Sequence, residues 1–226
     1  PLIIGMLTGI YGGIAAMVVL PLTQEQMTLI GVFLLTAHNL VQEGIVQAKS
    51  GLHPLKATVF RVGAATATLW LLTPWFAPPS HVTTITTALT TEGIPLFLPA
   101  LEAWAVATAG LTLKAFLIIM SLLTILEILK TSGWIHNIVA LLAPLLAVMG
   151  LDRKLAMLWL TAVLFGLAYG GAVIVEEVKG GNLSRKELET LHLSIGIHHS
   201  LIEDPLLFVA LGLPAFWLYV PRLIMA

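Results

Sequence analysis

No charged residue stands before Glu25, between Arg61 and Glu92, between Lys130 and Asp152, or between Lys154 and Glu176. A helix that crosses a bilayer needs about 20 largely apolar residues, and several of these gaps reach that length. Lipid offers no partner to backbone amides and carbonyls, so only helices and closed barrels span it. Barrel strands would alternate over about ten residues, and these runs do not. The pattern predicts an all-α, polytopic integral membrane protein. Only 10% of the 226 residues are charged, against about 25% in soluble domains, which excludes soluble enzymes, nucleic-acid binders and disordered chains. The net charge of −1 provides no basic surface for nucleic acid or anionic headgroups. Lacking cysteine, the chain has no disulfide, thiol chemistry or thiolate metal site.

Hydropathy divides the chain into segments. A glycine-rich apolar stretch runs from Pro1 to about Leu20, followed by Met27 to Ser50 and Pro54 to Ala77. A threonine-rich stretch, Ser80 to Thr91, leads into residues 94–113, which read as interfacial or lumen-facing. Lys114 to Ile128 reads as a strong span, Trp134 to Met149 as a short one with Pro144 inside, and Leu155 to Val175 as a convincing one. Leu188 to Leu211 and a short Pro214 to Ala226 complete the chain. The sequence starts at Pro1 inside an apolar run without a signal-peptide pattern, which suggests a longer natural chain.

The sequence repeats itself. His38-Asn39-Leu40-Val41-Gln42-Glu43 matches His199-Ser200-Leu201-Ile202-Glu203-Asp204 at an offset of 161, as do Gly51-Leu52 with Gly212-Leu213 and Arg61 with Arg222. Tyr11-Gly12-Gly13 matches Tyr169-Gly170-Gly171 at an offset of 158. Histidines, acids and arginines are scarce here, so their pairing carries weight that leucine matches lack. Residues 1–79 read as a first repeat, 80–113 as a connecting polar or interfacial segment, and 114–226 as a second repeat. Basic residues follow the His38 helix (Lys49, Lys56, Arg61) but precede the His199 helix (Lys179, Arg185, Lys186). By the positive-inside rule the two repeats are expected to be inverted.

Both duplicated motifs put ionisable groups inside apolar helices, where insertion scales charge about 2.5–3.5 kcal/mol for each central one. On a continuous helix His38 shares a face with Gln42 and Asn39 with Glu43, as His199 does with Glu203 and Ser200 with Asp204. Gly44 and Pro205 then mark breaks just after Glu43 and Asp204, since proline removes a donor and disfavours helical geometry before it. Breaks at matching points of two repeats indicate a transporter's binding site. The expected central site comprises His38, Asn39, Gln42, Glu43, His199, Ser200, Glu203 and Asp204. Tyr11 and Tyr169 are expected to line it, with Arg61 and Arg222 as counter-charges or anion contacts. The competing reading is that these groups only pair with one another and glue the halves together. His198 and the adjacent His199 point about 100° apart around the helix, so one of the two faces elsewhere; His192 either shares the face of His199 or is solvated near a loop. His38, Glu43, His199 and Glu203 are also acceptable ligands for a borderline metal, though no tight ligand motif settles whether one binds. No phosphate loop, Ser-His-acid or zinc-protease motif occurs, so neither an enzyme nor a cofactor is expected.

The Tyr-Gly-Gly and His-[Asn/Ser]-Leu-[Val/Ile]-x-[Glu/Asp] blocks resemble the nucleoside-recognition, or Gate, domain family. Such domains occur in concentrative nucleoside transporters, in the membrane part of the bacterial ferrous-iron transporter, and in spore maturation proteins A and B. The resemblance is clearest over Gly166–Leu213, with Tyr11–Leu52 as its weaker copy. It implies a bacterial inner-membrane, multi-pass protein acting as a permease-like unit for a small polar solute or ion, nucleoside-like by the resemblance. It also allows a non-transporting scaffold or partner subunit, or an iron-permease component. The bilayer, the solute and a second copy or membrane subunit are the expected partners.

Overall fold

A computed structural model describes residues 1–76, 97–148, 150–151, 153–181 and 183–225, with part of the side chains in the 100–169 stretch left out. The Ser80–Thr91 stretch and the first half of the expected connecting segment lie outside the described residues. Every regular element among the described residues is helical. The first half contains α1 (Leu2–Thr8), α2 (Ile10–Val18), α3 (Gln24–Ala37), α4 (Leu40–Lys49) and α5 (Pro54–Leu72). The second contains α6 (Phe97–Thr131), α7 (Trp134–Val148), α8 (Arg153–Lys179), α9 (Arg185–His198), α10 (Glu203–Ala210) and α11 (Ala215–Ile224).

Among the described residues, three stretches are long and apolar enough to cross a membrane: Gln24–Lys49, Pro54–Trp75 and Phe97–Ile118. The sequence reading is corrected at three places. Residues 97–113 are not a separate segment but the first half of the continuous helix α6, which runs on through Lys114–Ile128. The second correction concerns Leu155–Val175. Gly166 in the middle of α8 has φ 77° and ψ 167°, and a Cβ at Gly170 would strike the backbone of Ala162. Residues eight apart would stand about 12 Å apart in a straight helix, so α8 doubles back at Gly166 and does not run through.

The Pro1–Leu20 segment does the same. Gly9, at φ 96°, separates α1 from α2, and a Cβ at Gly13 would come within 3.3 Å of Gly5 Cα. Both tips need a left-handed backbone that only glycine adopts readily. Gly5, Gly9 and Gly13 therefore correspond to Ala162, Gly166 and Gly170, at an offset of 157. This is the third correction: the Tyr-Gly-Gly match at 158 is one residue out of register, and Tyr11 corresponds to Ala168, not Tyr169.

Other local features recur at 161. Thr23 and Gln26 form a capping box at the start of α3, and Ser184 and Glu187 form one at the start of α9. Leu52 N donates to Gln47 O at 3.0 Å, and Leu213 N to Phe208 O at 3.1 Å, closing α4 and α10. The halves interlock. Phe208, Leu207 and Leu218 from α10 and α11 are buried in one core with Ile14, Met17, Leu34 and Leu35 of the first half. A second core forms among α7, α8 and α9, with Val46 of α4 packed against it. Outward faces are apolar, with Trp70 and Leu98 largely exposed, as a lipid-facing surface requires.

Candidate functional site

The two duplicated motifs meet at the centre. α3 ends at Ala37, His38 is extended, and Asn39 then takes a left-handed conformation at φ 50° before α4 begins. α9 ends at His198, and Ser200 takes φ 49° before α10. The breaks thus fall at Asn39 and Ser200, upstream of Gly44 and Pro205. Gly44 sits inside α4, and Pro205 lies in the first turn of α10, where amides have no intrahelical partner and proline is tolerated. The expected shared faces fail with the continuous helix: Asn39 Nδ2 instead donates to Gln42 Oε1 at 3.1 Å.

The hairpin tips hold these breaks open. Asn39 N donates to Gly5 O and Leu201 N to Val163 O, each at 3.0 Å. A Cβ on Gly9 would lie 3.7 Å from Asn39 Cγ, and one on Gly166 3.0 Å from Ser200 Oγ. Each broken helix therefore presents its break to a glycine tip.

A cavity of about 340 Å³ opens where the four breaks converge. Nine expected residues line it: Tyr11, His38, Asn39, Gln42, Glu43, His199, Ser200, Glu203 and Asp204. Tyr11 and Gln42 are exposed at its edge, while His38, Glu43, His199 and Asp204 are buried within it. Tyr11 Oη donates to Glu203 Oε1 at 2.9 Å, joining the halves. The side chain of Tyr169 lies outside the described residues. Sequence reasoning missed Thr8, Gly9, Ile10, Val46 and Gly166 as lining residues; the matched glycines of the repeat were the available signal for the two tips.

Arg61 and Arg222 do not line the cavity. They stand behind it, 1% and 2% exposed, and cap the broken helices, whose last carbonyls lack intrahelical donors. Arg61 Nε donates to Thr36 O at 2.8 Å and Nη2 to His38 O at 3.0 Å. Arg222 makes the matching bonds to Ile197 O and His199 O. The halves differ in one respect. Arg61 Nη1 donates to Glu43 Oε2, whereas Arg222 Nη1 and Asp204 Oδ2 have no hydrogen-bond partner among the described residues. Aspartate is one methylene shorter than glutamate.

The two histidines face each other with Nε2 atoms 3.4 Å apart. His38 Nδ1 donates to Leu34 O at 2.7 Å and His199 Nδ1 to Ile195 O at 3.1 Å. His199 Nε2 lies 3.2 Å and His38 Nε2 3.5 Å from Glu43 Oε1, and His38 Nε2 is also 3.5 Å from Asp204 Oδ2. Glu203 bonds Tyr11 and lies outside the group His38, Glu43 and His199, whose ligand atoms all fall within 4.8 Å of one another. His198 turns away, its ring 5.7 Å from that of Trp159. His192 is fully buried, with Nε2 2.8 Å from Ser50 Oγ, so the solvated alternative for it is set aside.

Helices able to cross a bilayer, wrapped around a polar centre built where helices break, define an all-helical membrane protein. Over 223 residues, 98% of its length, the chain is 26% identical to the uncharacterized membrane protein YvoD of Bacillus subtilis (strain 168), and the match covers 72% of that relative. No family model matches the chain, and no solved structure matches it.

Proposed function

We propose that this chain is a multi-pass protein of the cell membrane that works as a permease-like unit, holding a small polar solute or ion between two inverted repeats. The observation that carries this reading is the cavity of about 340 Å³ at the meeting of four helix breaks. Its volume falls within the range of about 300–1,000 Å³ usual for small-molecule sites. Irregular backbone at membrane depth is tolerated where it lines a cavity, and broken helices in matching positions frame the sites of secondary transporters. The opposed lysine and arginine bias supports the inversion. The resemblance to Gate domains adds a nucleoside-like solute as the first class to try.

One observation favours a second reading, a non-transporting scaffold: Arg61, Glu43 and the histidines already satisfy much of one another's polarity. Accessibility separates the two. The chain has no cysteine, so Thr8→Cys is a single reporter at the cavity wall. Labelling of Thr8→Cys by a water-soluble maleimide, with a ligand-induced thermal shift lost in Asn39→Ala, is the expected outcome. An unlabelled reporter in folded protein would refute the solute-site reading in favour of the scaffold.

A further inference from the structure

We propose that the centre of the cavity is a binding site for a divalent transition-metal ion, held by His38 Nε2, His199 Nε2 and Glu43 Oε1 with the Asp204 carboxylate beside them. This deepens the proposed function by naming the solute class of the same cavity, and it rests on that reading's premise that the cavity admits solutes.

The proton positions come first. A backbone carbonyl only accepts hydrogen bonds, so the contacts to Leu34 O and Ile195 O require both Nδ1 atoms to carry protons. In the neutral rings both Nε2 atoms are then bare lone pairs. They point at each other and at Glu43 Oε1, which the Arg61 contact on Oε2 leaves free. Asp204 Oδ2, buried and without a hydrogen-bond partner among the described residues, lies 3.5 Å from His38 Nε2 in the same space. Four acceptors thus converge with no donor among them. A cation at their centre would satisfy all four at once.

The distances fit a metal better than a hydrogen-bonded proton. Charge-assisted N–H···O bonds run at about 2.7–2.9 Å, shorter than each of the distances between a histidine Nε2 and a carboxylate oxygen here. Imidazole and carboxylate ligands sit about 2.0–2.1 Å from a zinc-like ion, so the edges of its tetrahedron measure about 3.3–3.4 Å. The observed triangle has edges of 3.2, 3.4 and 3.5 Å. The surroundings fit too. Ligating histidines characteristically donate their other N–H to a carbonyl or carboxylate, and ligating carboxylates are themselves hydrogen-bonded, as both histidines and Glu43 are here. Imidazole with carboxylate suits zinc, iron, nickel or copper and not magnesium or calcium.

The test uses the full chain in detergent, stripped with chelator and titrated with Co²⁺, with Zn²⁺ as competitor. The expected result is one Co²⁺ per chain with a four-coordinate nitrogen-and-oxygen ligand-field spectrum that Zn²⁺ bleaches. Affinity should fall at least tenfold in His199→Gln and in Glu43→Gln. Absence of that spectrum in the wild-type protein, or unchanged affinity in either folded variant, overturns the proposal; should the variants not fold, the wild-type spectrum alone decides. Labelling of Thr8→Cys without metal binding would defeat the metal site while leaving the solute cavity standing. Metal binding with the reporter unlabelled would keep the site and defeat the open cavity.

Discussion

Arg61 and Arg222 occupy matching positions but should differ in what their loss does. Arg61→Met removes the donors to Thr36 O and His38 O and also strands the Glu43 carboxylate, which is 5% exposed. A buried charge left without its partner costs about 3–5 kcal/mol, and each carbonyl left unpaired adds about 1–3 kcal/mol. Arg222→Met loses the two carbonyl bonds but no hydrogen bond to a carboxylate, because its Nη1 has no hydrogen-bond partner among the described residues. The difference between the variants is therefore the Glu43 contribution, about 3–5 kcal/mol. A chain of 150–250 residues loses about 2–4 °C in Tm per kcal/mol, so Arg61→Met should unfold about 10 °C below Arg222→Met. Thermal unfolding in detergent, followed through the six tryptophans, measures both. Neutralising the stranded acid should repair most of the gap, making Glu43→Gln/Arg61→Met more stable than Arg61→Met alone. Equal losses for the two arginines, or a double variant no better than the single, would refute the assignment of Glu43 as an ionised partner of Arg61.

The tip of α8 should resist substitution: Gly166→Ala places a Cβ at φ 77° and 3.0 Å from Ser200 Oγ, and should lower stability by at least the 1–2 kcal/mol of a left-handed alanine, read as a Tm loss of several degrees. Ser200→Gly should do the opposite, raising stability by about 0.5 kcal/mol, because relief of the left-handed serine slightly exceeds the added chain entropy of glycine; a lower Tm would contradict this. The Lys56–Glu189 pair, 2.7 Å long with side chains 49% and 40% exposed, should contribute no more than about 1 kcal/mol, so that Lys56→Ala leaves Tm within a few degrees of the parent protein.

The sequence by itself determined what depends on local composition and on the internal match. Charge-free runs fix a helical membrane chain because lipid tolerates nothing else there, and the scarcity of histidine and acid made the duplicated motifs stand out as the centre. It also indicated that the helices break near those motifs. Where they break was decided by tertiary structure. Gly44 and Pro205 looked like the breakers, yet the left-handed turns are at Asn39, a residue that tolerates that conformation, and at Ser200, which has no such preference, both set beside amides bound to carbonyls of the neighbouring hairpin. The hairpins themselves were hidden, since an apolar run that folds back at a glycine reads the same in hydropathy as one that passes through. The arginines looked like ligand contacts because charge in an apolar helix suggests a site; only the fold shows that broken helices leave carbonyls that a guanidinium can cap from behind. The convergence of two histidines from opposite halves onto one carboxylate exists in three dimensions alone, because it depends on the crossing of four breaks that no sequence spacing specifies.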